Sequence, residues 1–134
     1  MATGKFPLFR STVTLLGGFA IYAFALMVLV LITSIAMAKG ATPSHQDVEF
    51  AMLGSSLVAA LAGGYATASL APNRQRGHVG VLAAMMLLSH INRVVHPTAG
   101  ASPWYPIVLA LVSTAAVVAG GLLRRPRPPS TESV

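Results

Sequence analysis

Two short stretches hold most of the residues in this chain whose types could do chemistry. "MMLLSHINRVVHP", residues 85–97, ends an apolar run with Ser89, His90, Asn92, Arg93 and His96. "SHQDVE", residues 44–49, opens another with His45, Asp47 and Glu49. Imidazoles and carboxylates could ligate a metal, relay protons or serve a serine nucleophile, but the spacing argues against each. No H-x₃-H pair and no H-E-x-x-H motif is present to grip a metal from one helix face. Ser89 and His90 are neighbours, hence about 100° apart on a helix, a poor geometry for a nucleophile and its base. A haem or chlorin needs a deep axial histidine, and His90 and His96 lie near the end of their run. Proton-coupled transport needs an ionisable residue well inside the bilayer, and the central parts of the apolar runs carry none. Cysteine is absent, so thiolate chemistry and disulfides are excluded. No Gly-rich phosphate loop is found. The expectation is a non-enzymatic protein with no metal and no cofactor.

On a helix, Ser89, Asn92, Arg93 and His96 share an arc of about 100°, with His90 on its shoulder and Leu87, Leu88, Ile91, Val94 and Val95 opposite. Met85 and Met86 continue that arc away from the polar ending. The arc is therefore expected to face protein or a cavity, and the leucine and valine side to face lipid. Arg93 would lie about one turn inside the membrane, where its long side chain can snorkel to the headgroups. In the second stretch Ser44 fits a helix cap, with Asp47 and Glu49 favoured by the helix dipole. Asp47, Glu49, His90, Asn92, Arg93 and His96 thus form a candidate polar cluster at one membrane face, with Lys39 and His45 nearby. An ion pair from Arg93 to Glu49 or Asp47 would pin two helices together there.

What must position these residues is a set of membrane helices. Of 134 residues, 54% are hydrophobic and 9% charged, with a mean hydropathy of +0.71. A soluble domain carries about 25% charged residues, so this chain has too little polar surface to clothe a soluble core. About 20 apolar residues cross the hydrocarbon, and four runs qualify: 13–38, 48–71, 79–96 and 106–123. Pro72 and Asn73 break the second helix, and Pro97 stops the third. Ser102 is expected to cap the fourth with Pro103 at its first position, Pro106 leaving that start open by about a turn, and Trp104 and Tyr105 to lie in an aromatic belt. The whole is an all-α four-helix bundle in a single domain, 1–125, followed by a disordered tail, 126–134.

Orientation follows from the basic residues. Lys5, Arg10, Arg74, Arg76, Arg124, Arg125 and Arg127 fall on one side and Lys39 and Arg93 on the other, together the nine of the chain. That asymmetry places both termini in the cytoplasm. It also explains the net charge of +6 without nucleic acid. "AMAKG", residues 36–40, resembles a signal cleavage site, but the preceding run far exceeds the roughly 7–15 residues of a signal core. A retained anchor is expected.

The second span carries two rows of small residues, Ser55, Ala59, Gly63, Thr67 and Ser56, Ala60, Gly64, Ala68. Such rows let helices approach closely in lipid, so this helix is expected at the centre. Gly17, Gly18, Ala116 and Gly120 offer weaker versions of the same contact. The rows serve either packing within one bundle or a dimer seam.

"DVEFAMLGSSLVAALAGGYATASLAPNRQRGHVGVLAAMM" and "PWYPIVLALVSTAAVVAGGLLRR" share a pattern: an acid opens a helix, Gly-Gly-Tyr ends its core, a basic turn leads to a histidine, and Gly-Gly precedes arginines. Residues 47–125 thereby resemble small, uncharacterised four-helix bacterial integral membrane proteins. The resemblance implies a fold and a bacterial inner membrane, with no activity and no residue roles. Small multidrug transporters have a comparable length and helix count, but the first span here lacks the membrane-embedded glutamate their mechanism needs. The functional expectation is an accessory or assembly subunit contacting other membrane proteins or itself. A homo-oligomeric small-solute transporter is the alternative.

Overall fold

The computed structural model describes residues 6–39, 43–71, 75–96 and 102–124. They form four helices, α1 (Phe6–Ala38), α2 (His45–Leu70), α3 (Gln75–Val95) and α4 (Tyr105–Leu123), with no strand among the described residues. All four are long and apolar enough to cross a membrane. The expected tail, 126–134, lies outside the described residues.

The expected spans fall within these helices to a few residues, and the differences have local causes. α1 starts before the charge-free run because Arg10 interrupts apolarity without interrupting helix, and Pro7 sits in the first turn, where a missing N–H does no harm. α2 ends at Leu70 with Ala71 extended at φ −97°, ψ 95°, the conformation that a following proline imposes. α3 begins at Gln75 rather than Val79, since polar residues end an apolar run without ending a helix. One expectation fails. Ser102 does not cap α4 and Pro103 is not helical: α4 begins at Tyr105 after Trp104, which makes no side-chain capping bond. The N–H of Tyr105 donates to the Ser102 carbonyl at 3.1 Å, a turn that sets Ser102 apart from the helix. Pro106, early in α4, has no N–H to be capped.

α2 lies at the centre. It runs antiparallel to α1, as the Thr14 hydroxyl donating to the Leu70 carbonyl (3.3 Å) and the approach of Gly63 to Tyr22 show. It runs parallel to α4, with Ser56 opposite Ser113 and the Arg124 guanidinium donating to the Ala68 carbonyl (3.1 Å). α3 closes against α4, and its edge with α1 is thin, marked by a 2.6 Å bond between Ser11 and His78. Among the described residues α1 makes no contact with α4. The bundle therefore has a basic end, where α1 and α3 start and α2 and α4 stop, and an opposite end carrying Asp47 and Glu49.

Small residues set the packing. Both rows of α2 are buried, and they serve different neighbours. A Cβ built on Gly63 would lie 2.9 Å from the Tyr22 Cβ, and one on Gly18 would run into the Thr67 side chain. On the other side, a Cβ on Gly64 would overlap the Val117 carbonyl, and one on Gly120 the Leu61 carbonyl. Backbone-to-backbone contact of this kind lets dispersion hold helices together where lipid offers no hydrophobic gradient. Within the α2–α4 seam, the Ser56 and Ser113 hydroxyls pair at 2.8 Å.

The outer half of α1 is built differently. Its most apolar stretch is only 11% buried, against 39% for α2 and for α4. Beyond Tyr22 none of its described residues is fully buried. Phe24, Met27, Leu31, Ile32 and Ile35 all face outward.

Candidate functional site

The end of the bundle opposite the basic one gathers aromatic and ionisable groups around the start of α2. Ser44 caps the helix: its hydroxyl accepts from the Asp47 N–H at 3.2 Å, and its own N–H donates to the Asp47 carboxylate at 3.0 Å. The Ser44 hydroxyl also donates to that carboxylate at 2.6 Å. Asp47 thus completes a reciprocal capping box and is committed to the helix start.

Glu49 is different. It is buried, and one carboxylate oxygen accepts the Ser102 N–H at 2.7 Å. That bond ties the start of α2 to the turn before α4. The other oxygen, Oε2, is buried with no hydrogen-bond partner. The next residue, Phe50, meets Trp104 with their rings tilted at 37° and centroids 5.8 Å apart, and Trp104 in turn meets Tyr105 edge-on at 6.1 Å. The aromatic pair expected to mark a membrane boundary is thereby joined by Phe50 from α2.

α3 corrects the expected facing of its polar end. Its buried stripe is Val79, Leu82, Ala83, Met86 and His90, centred roughly 90° from the middle of the Ser89, Asn92, Arg93 and His96 arc at about 100° per residue. Those four are exposed, as is Met85. The arc therefore faces outward in the single chain, because the apolar stripe at helical spacing claims the interior first. His90, placed on the shoulder of the arc, is the residue that goes inside, 5% exposed, with both ring nitrogens lacking a partner. Ser89 returns its hydroxyl to the Met86 carbonyl at 2.7 Å.

The ion pair expected between Arg93 and α2 does not form among the described residues. Glu49 takes the Ser102 N–H instead, Asp47 takes Ser44, and Arg93 is exposed, which suits a guanidinium reaching outward. The candidate cluster therefore divides. Asp47 is a cap; Asn92, Arg93 and His96 are surface groups; Glu49 and His90 are the buried pair with unmet hydrogen-bonding capacity. No group of three or more His, Asp or Glu residues able to hold a metal is found among the described residues.

A buried carboxylate oxygen and a neutral imidazole offer acceptors and one N–H donor. Each is expensive to leave unmade in a dry interior, so these atoms are where a water or small polar ligand gains most. The role of Ser102 could not be read from sequence, because the group it uses is a backbone N–H. No family model, curated protein or solved structure matches the chain.

Proposed function

We propose that this protein is a non-enzymatic accessory or assembly subunit of a membrane protein complex, with both termini in the cytoplasm of a bacterial inner membrane. The observation that carries the reading is the asymmetry of α1. α1 packs mainly on α2, does not touch α4 among the described residues, and beyond Tyr22 buries no described residue fully, leaving Phe24, Met27, Leu31, Ile32 and Ile35 uncovered. At about 1.5 Å per residue a helix of 33 residues is roughly 50 Å long, well beyond the about 30 Å of hydrocarbon. A long, lightly packed helix of this kind suits contact with another membrane protein. The seven-to-two split of lysines and arginines supports the orientation, and single cysteines introduced at Ser130 and Ala99 into this cysteine-free chain would report it. Labelling of Ser130→Cys from the cytoplasm and of Ala99→Cys from outside is expected.

The second reading, a homo-oligomeric small-solute transporter, draws on the unpartnered atoms of Glu49 and His90. Native mass spectrometry of the protein extracted gently from its own membrane separates the two. A stoichiometric heteromeric mass supports the accessory role. A homo-oligomer, with solute flux that falls when Glu49 or Arg93 is changed, supports transport.

A further inference from the structure

At the basic end, α3 and α4 part to leave a groove of about 340 Å³. Gln75, Arg76 and Gly80 line it from α3, and Val118, Leu122 and Arg124 from the α4 side. Its chemistry is split. The mouth carries two guanidinium groups and no carboxylate among the described residues, and the first turn of α3 contains no acid. The N–H groups opening that helix add partial positive charge at the same place. The remaining wall, Val79, Gly80, Val118, Gly121 and Leu122, is apolar, and Gly80 leaves room there: a Cβ added to it meets nothing within 4 Å. Arg124 is held in position by its bond to the Ala68 carbonyl, which leaves further guanidinium donors for a ligand.

We propose that this groove binds an anionic phospholipid, its phosphate between Arg76 and Arg124 and an acyl chain along Gly80, Val118 and Leu122. Basic pockets between membrane helices take anionic headgroups by this complementarity. The apolar wall selects a lipid over a free phosphate, which would cover the arginines and leave Val118 and Leu122 bare. The site is at the opposite end from Glu49 and depends on neither reading of the function.

The test uses the full chain reconstituted in equal phosphatidylglycerol and phosphatidylcholine, then released for native mass spectrometry with the bound lipids counted. Phosphatidylglycerol is expected to be retained in preference. Arg76→Gln, at an exposed position, should lower that retention about fivefold, the worth of one arginine near anionic lipid. Gly80→Leu should abolish it with the helical signal and thermal stability intact, because the new side chain occupies the acyl path without touching the fold. Equal retention of the two lipids would overturn the proposal, as would full retention by Gly80→Leu. Displacement of phosphatidylglycerol by added inorganic phosphate would assign a phosphate site and overturn it too.

Discussion

Between α2 and α4, Gly64 meets the backbone of Val117 and Gly120 that of Leu61, while along α1 beyond Tyr22 the large side chains of Phe24, Met27, Leu31, Ile32 and Ile35 turn outward. Both surfaces are apolar. What separates them is size: in lipid, apolarity does not distinguish inside from outside, and close approach does. The seam is finished within the chain, whereas the outer half of α1 is finished only by lipid or by another protein.

Breaking the seam should have the largest effect. Gly64→Leu would drive a side chain into the Val117 backbone, a neighbour that cannot rotate away, and should lower stability by about 3 kcal/mol or more, read as loss of thermal stability in detergent. Gly54→Leu on the same helix, where an added Cβ meets nothing within 4 Å, should leave stability unchanged or slightly improved. Next in size is a gain. His90→Leu removes two buried ring nitrogens with no partner and should stabilise by on the order of 1–3 kcal/mol; a loss of stability would mean that the imidazole is satisfied by something it binds. Glu49→Gln should keep the bond to the Ser102 N–H and retain thermal stability, whereas Glu49→Ala should lose it. Ser56→Ala and Ser113→Ala should each cost about 1 kcal/mol, with a coupling near 0.6 kcal/mol in the double variant. Arg93→Gln should change thermal stability least of all.

The two regions were unequally legible in the sequence. The spans could be read because charge-free runs of the right length have few other uses, and the rows on α2 because Ser, Ala, Gly and Thr recur every fourth residue. Only coordinates divide those rows, Gly63 and Thr67 for α1 and Gly64 and Ser56 for α4. The polar end of α3 was misread because a helical wheel ranks residues by polarity, while the bundle ranks them by which stripe packs. His90 follows Met86 by one turn on that stripe and is buried; Arg93, one turn further, extends away. Glu49 was legible as an acid near a helix start. Its partner, a backbone N–H 53 residues away, was not, since any residue type could supply it.

Whether α1 is the helix that meets another protein is tested most directly by a photo-crosslinking residue placed at Leu31 on α1 or, for comparison, at Leu111 on the outward face of α4, in the protein's native membrane. Both positions are similarly exposed, 60% and 63%, so lipid access is matched. An accessory subunit working through α1 gives one discrete heteromeric adduct from Leu31 and none from Leu111. Lipid adducts alone from both positions, or the same protein adduct from each, would contradict it.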